Sequence, residues 1–370
     1  MRIATIGTSA ITSDFIEAIA ANPRASFVGT LSRSAERAQA FTAERGGTHP
    51  FTNLDDLAAA HDVDAVYLGS PNALHTAQAL TCIAGGKHVI VEKPLGTNER
   101  EARTVFSAAE RAGVVAMEAM RPLHDPAFVA VRDLAAGLGR IRRASFHFGK
   151  YSSRYDEILA GRHTNIFDCA MATGSLMDIG VYTVEPLIEL FGAPDDIQAA
   201  ATLLDEGTRE LTNGPLDGAG IILARYPDKV VSLHFSKITN DHLPSQVESE
   251  TATLTFDGIS VPRWARVEHR GRAVRAAAKE VHVEQGARTE EIELPQVPNT
   301  MAYELDDFIS AVEAVQAGAA PLDAPVGPFG TVRHYRDVTL ASLKLMDEAR
   351  QQMGVSFPAD AAAAGGPALA

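Results

Sequence analysis

The sequence predicts an α/β protein: a doubly wound parallel sheet in its N-terminal third, followed by an α+β region with a large, mostly antiparallel, open-faced sheet. Two observations predict this class. Up to residue 121, short apolar segments alternate with segments of helical periodicity. Beyond it, strand-like segments follow one another while the helices stand apart. A length of 370 residues with 46% hydrophobic residues is enough for two domains with full cores.

The N-terminal strands are continuous apolar runs, which is typical of a parallel sheet buried on both faces. We predict them at Arg2–Ile6, Ser26–Leu31, Ala65–Leu68, His88–Val91 and Val114–Met117. The helices between them cover Asp14–Ala21, a segment that begins after the capping residue Ser34, Ala73–Ala84 and Glu99–Ala112.

In the second region the predicted helices are Pro126–Ala136, Ser175–Phe191, Ala302–Ala317 and Gly330–Met353. The predicted strands are Ile141–Phe148, Ile197–Leu204, Ala219–Tyr226, Val230–Ser236, Glu250–Phe256, Val281–Glu284 and Glu290–Leu294. We therefore expect domains at residues 1–121 and 122–357. Residues 358–370 are of low complexity, and we expect them to form a disordered tail.

Composition excludes several classes of protein. The net charge of −14 offers no broad basic face, which argues against a nucleic-acid partner. No apolar stretch is long enough for a membrane span, and the first residues lack the pattern of a secretory signal. The two cysteines have no metal-ligand spacing, so no metal is expected. We expect a cytoplasmic protein.

The first strand runs into a loop and then a helix, where dinucleotide-binding proteins hold a pyrophosphate. Gly7 permits the tight turn, and the helix N-terminus supplies unpaired N–H groups. Serine and threonine stand where the second and third glycines of the fingerprint would be, so an ordinary strand-to-helix turn remains the alternative. The candidate cofactor-binding residues of this loop are Gly7, Thr8, Ser9, Ala10 and Ile11.

The second strand ends without the acidic residue that would hold the ribose diol of NAD. It ends instead at Ser32 and Arg33, with Arg37 one helical turn further on. A hydroxyl and guanidinium groups suit a phosphate, so we expect NADP as the cofactor, with NAD as the alternative. The other interpretation of the two arginines is a solvated helix face.

Further candidates follow later strands, at the edge where parallel sheets bind ligands. Lys93 follows the run Val89-Ile90-Val91-Glu92 and immediately precedes a proline. We expect burial and a nicotinium charge to lower its pKa toward a range useful for acid–base chemistry. The other candidate cofactor-binding residues at this edge are Ser70, Asn72, His75, Glu92, Lys93 itself and Arg121.

These residues resemble the Gfo/Idh/MocA oxidoreductase family over nearly the whole chain apart from the tail. The matching motifs are Glu92-Lys93-Pro94, Pro71-Asn72 with His75, and Arg121-Pro122. A second-domain motif, Gly-x-Leu-x-Asp-x-Gly-x-His, matches residues 174–182, except that Tyr182 replaces the histidine. That substitution resembles the branch of dihydrodiol dehydrogenases and NADP-dependent D-xylose dehydrogenases.

The resemblance implies a Rossmann domain, a substrate domain that also forms a homodimer or dimer of dimers, and a polyhydroxylated small-molecule substrate. It also implies that Lys93 and Tyr182 are the proton-exchanging pair. Asp178 precedes Tyr182 by four residues, so the two share one helix face, and we predict that Asp178 fixes the substrate or its partners.

The sequence is also compatible with two other kinds of protein. The family contains NAD-using glycosidases and regulators that bind a dinucleotide without turning it over. The polar stretch from Lys150 to Asp168 either lines a substrate pocket or forms a surface or dimer-contact loop. Within it, His163 is a weaker candidate for the role of the missing histidine.

Overall fold

A computed structural model describes residues 1–275 and 282–361 of the chain. Its N-terminal strands are Arg2–Ile6 (β1), Ser26–Leu31 (β2), Ala65–Leu68 (β3), His88–Glu92 (β4) and Ala116–Ala119 (β5). They form one parallel sheet in the order β2-β1-β3-β4-β5. Every residue of β3, β4 and β5 is buried, which confirms the interpretation of the apolar runs.

The helices of this domain are Ala10–Ala21 (α1), Ala35–Glu44 (α2), Leu54–Ala59 (α3), Asn72–Ala84 (α4) and Glu99–Ala112 (α5). Ser34 caps α2 as predicted, since its side chain accepts from the N–H of Arg37. The prediction missed α3, and it placed the fifth strand two residues too early. The N–H of Val114 still bonds to the carbonyl of Ala109 at the end of α5, which delays the strand.

Two strands, Arg272–Arg275 (β13) and His282–Gln285 (β14), pair only with each other among the described residues. The strands of the second sheet are Ile141–Gly149 (β6), Asp196–Leu203 (β7), Asp217–Arg225 (β8), Val230–Ser236 (β9), Ser245–Ser249 (β10), Ala252–Phe256 (β11), Trp264–His269 (β12) and Arg288–Glu293 (β15). Its order is β15-β12-β11-β10-β6-β9-β8-β7. Among the strand pairs that the described residues form in this sheet, only β6–β9 is parallel, so the predicted mostly antiparallel sheet is confirmed.

Several strand predictions in this sheet were wrong in detail. The strand predicted at Glu250–Phe256 is β11, which begins two residues later, because the Ser249 hydroxyl accepts from the N–H groups of Thr251 and Ala252 in the turn before it. The preceding strand, β10, was missed. Strand β12 was missed because its alternation of buried and exposed positions is masked by charged residues. The strand predicted from Val281 begins outside the described residues, and its described part is β14.

The remaining helices are Arg121–His124 (α6), Pro126–Gly137 (α7), Ser153–Leu159 (α8), Val181–Phe191 (α9), Met301–Gln316 (α10), Val332–Met353 (α11) and Pro358–Ala361 (α12). The two-residue strands Pro325–Val326 (β16) and Gly330–Thr331 (β17) precede α11. The predicted helix Ser175–Phe191 is helical, but its first part, Leu176–Gly180, is a π-helix.

The start of the expected tail is ordered, contrary to the prediction. In helix α12, Asp360 accepts a hydrogen bond of 2.7 Å from Arg350, whose side chain is only 3% exposed. The low-complexity sequence conceals this because a single acidic residue makes the contact. Residues 362–370 lie outside the described residues.

The two halves of the chain share their cores. Helix α11 returns to the N-terminal domain, where Leu340 and Leu343 join the hydrophobic cluster on one face of its sheet. The Thr339 hydroxyl donates to Glu118 of β5 over 2.5 Å. This packing fixes the second sheet relative to the first. Within the part of the chain that the structure describes, no helix has the length and apolar character needed to cross a bilayer.

Candidate active site

The turn after β1 requires glycine. Gly7 has φ +106°, and a Cβ placed on it would lie 2.7 Å from the carbonyl oxygen of Gly69, at the exit of β3. Real Cβ atoms do not approach a backbone oxygen so closely. Gly7 therefore allows two neighbouring strand exits to touch, as a loop that receives a pyrophosphate needs.

The residues that replace the other glycines of the fingerprint cap the helix. Ser9 is the N-cap of α1, and its hydroxyl accepts from the Thr12 N–H at 3.5 Å and lies 3.1 Å from the Thr12 hydroxyl. The N–H groups of Ala10 and Ile11 lie in the first turn, where a helix offers them no internal partner. Gly7 and this helix end thus fit a dinucleotide pyrophosphate.

Ser32, Arg33 and Arg37 lie together where β2 meets α2. The Ser32 N–H donates to Phe51 O over 3.1 Å, and its hydroxyl accepts from the Ser34 N–H over 3.4 Å. Both arginines are exposed, and within the described residues neither guanidinium has an ion-pair partner. Two free cations beside the first loop fit a phosphate on the adenosine ribose.

Asn72 and His75 connect loops. The Asn72 side chain donates to Ala172 O of the second domain over 2.8 Å. The buried His75 ring lies between two carbonyl oxygens, those of Ser70 at 2.8 Å and Pro94 at 3.1 Å. Burial lowers the pKa of His75, although the two carbonyl oxygens oppose this. These two side chains hold the β3 and β4 exits in place, and their role in binding the cofactor stays a prediction.

Glu92, the last residue of β4, also has a partner within the protein. Its carboxylate accepts from the Tyr67 hydroxyl over 2.7 Å. Burial raises the pKa of Glu92, opposed by the charge of Lys93. The Ser70 hydroxyl likewise donates to Gln78, over 2.5 Å.

Lys93 projects from the end of β4 toward the second domain. Its ammonium lies 2.8 Å from Asp178 O and 3.0 Å from Asp178 Oδ1, and 4.8 Å from the centre of the Tyr182 ring. The predicted lowering of the Lys93 pKa is wrong for this structure. Burial lowers the Lys93 pKa, but the charge of Asp178 and the proximity of Tyr182 raise it by a larger amount. The ammonium therefore stays charged.

The helical segment that carries Asp178 and Tyr182 brings both toward Lys93. Asp178 lies in the π-helical part and Tyr182 in the first turn of α9. Burial raises the pKa of Asp178, but two ammonium groups, of Lys93 and Lys237, lower it well below its usual range. Asp178 is therefore a fixed anion that cannot serve as a proton donor near neutral pH.

Tyr182 is buried, with 7% of its surface exposed, and its ring meets the edge of Phe148 at 5.3 Å between centroids. Arg121, from the start of α6, lies beside it. Burial lowers the pKa of Arg121, but interaction with the Tyr182 hydroxyl raises it more. The phenol therefore lies between two permanent cations, those of Lys93 and Arg121.

Lys237 was missed by the sequence analysis. It directly follows β9, and its ammonium lies 2.6 Å from Asp178 Oδ2. The available signal was the same as for Lys93: a lysine immediately after an apolar strand.

The polar stretch from Lys150 to Asp168 contains helix α8 and leads to the site through its last residues. Ile166 O accepts from Lys237 over 3.3 Å, and Phe167 is fully buried. His163, the weaker candidate, has a 46% exposed side chain that pairs with Asp168 at 2.9 Å. Nothing in this geometry brings His163 to Lys93 or Tyr182.

The fold and the site together define a class: a two-domain nicotinamide-dependent oxidoreductase whose second domain brings a phenol and a carboxylate to the cofactor edge of a Rossmann sheet. Residues 1–120 match the family model described as "Oxidoreductase family, NAD-binding Rossmann fold". Residues 128–255 match the "GFO/IDH/MocA C-terminal domain". The chain belongs to the Gfo/Idh/MocA oxidoreductase family and is an NAD(P)-binding enzyme of the dehydrogenase and reductase class that acts on CH–OH groups.

Relatives match along almost the whole chain. The scyllo-inositol 2-dehydrogenase (NADP(+)) IolU of Bacillus subtilis (strain 168) is 35% identical over 362 residues, covering 98% of this chain and 100% of the relative. The human trans-1,2-dihydrobenzene-1,2-diol dehydrogenase is 27% identical over 371 residues, covering 97% and 99%.

A solved structure with the same fold is that of a 3-ketoreductase from Actinomadura kijaniata in complex with NADP and TDP-benzene. It superimposes with a TM-score of 0.76 at 24% identity, covering 95% of this chain and 98% of that one. This match confirms the arrangement of the two sheets.

Proposed function

We propose that the protein is an NADP(H)-dependent oxidoreductase that transfers a hydride between the nicotinamide and a hydroxyl or carbonyl carbon of a sugar, cyclitol or related diol. The observation that carries this proposal is the meeting of Lys93, from the Rossmann domain, with Tyr182 and Asp178, from the second domain. The nicotinamide, when bound, supplies the hydride chemistry.

Each side chain has a role that follows from its charge. The Tyr182 hydroxyl exchanges the proton of the substrate oxygen. Lys93 and Arg121 stabilise negative charge on the phenol oxygen, because both stay cationic beside it in a buried site. Asp178 holds Lys93 through its backbone carbonyl and its carboxylate. Lys93 thus acts as a fixed cation rather than as a proton donor.

The proposed preference for NADP rests on residues 32–37. Ser32, Arg33 and Arg37 offer a hydroxyl and two unpaired guanidinium groups and no carboxylate for a ribose diol. The relative IolU carries NADP(+) in its name, which supports the same preference here. Gly7, Thr8, Ser9, Ala10 and Ile11 would hold the pyrophosphate.

A polyhydroxylated substrate is supported by two relatives, named for scyllo-inositol and for a dihydrodiol. The site itself offers charged groups suited to hydroxyls and to a developing alkoxide. We also propose that the open sheet face forms a homodimer or a dimer of dimers, since Ile221 and Leu223 on β8 are 40% and 42% exposed.

The test is turnover of NADP(+) and NAD(+) with a panel of inositols, sugars and dihydrodiols, followed by the absorbance of the reduced nicotinamide. Lys93→Met and Tyr182→Phe should each lower turnover at least about tenfold, which corresponds to about 1.4 kcal/mol of barrier. Lys344→Met on the exposed side of α11 and Tyr303→Phe are matched controls and should keep wild-type rates. Equal losses in all four variants would refute the assigned roles.

The same assay separates the alternatives. An NAD-using glycosidase would release sugar without net formation of reduced cofactor and would favour NAD. A regulator would bind the dinucleotide and turn nothing over. The joint presence of Lys93 and Tyr182 at one point, and the free Arg33, favour the oxidoreductase.

A further inference from the structure

Lys237 is held in place from several directions. Its N–H donates to Gly218 O on the neighbouring strand β8 over 2.9 Å, and only 2% of its side chain is exposed. The ammonium reaches Asp178 Oδ2 at 2.6 Å and Ile166 O at 3.3 Å, and it lies 5.1 Å from the centre of the Phe167 ring. Lysines are rarely buried so completely without a specific partner.

Asp178 is shared between two lysines. One carboxylate oxygen faces Lys93 at 3.0 Å and the other faces Lys237 at 2.6 Å. A single negative charge cannot neutralise two ammonium groups, so the group of three keeps a net positive charge. Because the site is buried, that charge is weakly screened and acts on whatever lies nearby.

What lies nearby is the phenol. The Lys93 ammonium is 4.8 Å from the Tyr182 ring centre. The Lys237 ammonium instead contacts Asp178 Oδ2, the carboxylate oxygen that does not face Lys93. If Asp178 were bound by Lys93 alone, its charge would offset the Lys93 charge more fully. The contact with Lys237 therefore leaves more of the positive field of Lys93 at Tyr182.

We propose that Lys237 is a positioning residue for the oxidoreductase reaction: by binding the second oxygen of Asp178, it fixes this carboxylate against Lys93 and maintains the positive field that favours proton release from Tyr182. This inference rests on the proposed function and adds a third strand exit, that of β9, to the site. It assigns Lys237 no contact with substrate or cofactor.

The charged surroundings define the expected pH effect. Lys237 faces Asp178, Lys93 and the buried Asp217 of β8, and burial lowers the pKa of Lys237 although Asp178 opposes this. Burial raises the pKa of Asp217. Tyr182 faces Lys93, Arg121 and the buried Tyr67. Removing one cation from this group makes negative charge anywhere in it less favourable, so the pH at which oxidation reaches half its maximal rate should rise.

The experiment compares Lys237→Met and Lys237→Gln with Lys229→Met, a matched control at the other end of β9 whose ammonium pairs with Asp228 at 2.8 Å. The kcat, KM and pH profile of polyol oxidation are measured, and NADP(+) affinity by fluorescence reports correct folding. Both Lys237 variants should lose about tenfold in kcat, keep NADP(+) affinity and shift the pH profile upward. Lys229→Met should match wild type.

A double-mutant cycle tests whether Lys237 acts through Asp178. In an Asp178→Asn background, Lys237→Met should cause less than about a twofold further loss, because the carboxylate that it holds is gone. Full additivity, or Lys237 variants with wild-type kcat and pH profile, would overturn the inference. If wild type oxidises no polyol, the proposed function fails. If Lys93→Met and Tyr182→Phe are impaired but Lys237→Met is not, only the role of Lys237 fails.

Discussion

Replacing Arg33 by alanine should change which nicotinamide cofactor the enzyme prefers. Arg33 follows β2 and Arg37 lies in the first turn of α2, both exposed and, among the described residues, both without an ion-pair partner. Their guanidinium groups are therefore free to bind a phosphate. The 2′-phosphate is the one group that NADP has and NAD lacks, so the substitution should affect NADP alone.

The magnitude follows from exposure. A charge-assisted hydrogen bond contributes about 1.5–3 kcal/mol when sheltered, but solvent screens an exposed pair, so about 1–2 kcal/mol is appropriate for Arg33. That range corresponds to a rise of about 5- to 30-fold in the Kd for NADP(+). Arg33 and Arg37 would share one phosphate, so the double variant should lose less than the product of the single losses.

The assay is titration of the purified protein with NADP(+) and with NAD(+), followed by tryptophan or nicotinamide fluorescence. Arg111→Ala, an exposed arginine on α5, is the matched control and should leave both affinities unchanged. The NADP(+) effect should weaken as salt rises. Equal weakening of NADP(+) and NAD(+) binding by Arg33→Ala, or no effect on either, would refute the assignment of the phosphate site.

Three further predictions concern stability and cofactor binding. Gly7→Ala should abolish NADP(+) binding and destabilise the fold by about 1–3 kcal/mol, because its Cβ would meet Gly69 O at 2.7 Å; titration and urea unfolding measure the two effects. Burial raises the pKa of Glu304, so the contribution of this group to stability is present below its unfolded-state pKa of about 4.3 and is lost as pH rises; the Tm of Glu304→Gln should gain on wild type from about pH 5 to pH 8. Asp360→Ala should cost about 1–2 kcal/mol in unfolding experiments, since it removes a partner of the buried Arg350.

Each of these has a matched control. Gly46 has a φ of +77°, and a Cβ added to it would meet no other atom. Gly46→Ala should therefore strain the backbone without affecting NADP(+) binding. Glu293→Gln, on the exposed edge strand β15, should show no pH-dependent gain in Tm. Asp323→Ala removes an exposed partner of Arg333 and should leave unfolding unchanged. If a control variant shows the same change in NADP(+) binding, Tm or unfolding free energy as its test variant, the corresponding argument is contradicted.

Local signals in the sequence predicted much of the site. Gly7 was identifiable because a turn between strand and helix needs its backbone freedom, and the structure gives it φ +106°. Lys93 was identifiable because it follows a buried strand directly. Asp178 and Tyr182 were expected on one face because they are four residues apart, and both do approach Lys93 despite the π-helical turn between them.

The properties that depend on distant residues were not predictable. The pKa of Lys93 is raised, against the prediction, by the charge of Asp178, which is 85 positions away in the chain. Lys237 gave the same local signal as Lys93, but only the tertiary fold brings it to Asp178. His75 carries a family motif, yet its ring nitrogens face backbone carbonyls. Sequence spacing cannot reveal such partners.

The domain arrangement also depends on contacts between residues that are distant in the sequence. A boundary near residue 121 follows from the change in pattern, but Leu340 and Leu343 near the end of the chain complete the N-terminal core. No periodicity within α11 indicates that its partner is a sheet formed by the first third of the chain. The division into residues 1–121 and 122–357 therefore remains a proposal about organisation rather than about separate folding.

The central claim is that the phenol of the second domain exchanges a proton with the oxygen of the substrate. A crystal structure of the enzyme with NADP(+) and the polyol identified by turnover measures this directly. We predict that a substrate oxygen lies within hydrogen-bond distance of the Tyr182 hydroxyl, about 2.6–3.2 Å, with its carbon facing the nicotinamide. A substrate bound away from Tyr182, with another side chain at the reacting oxygen, would contradict the account.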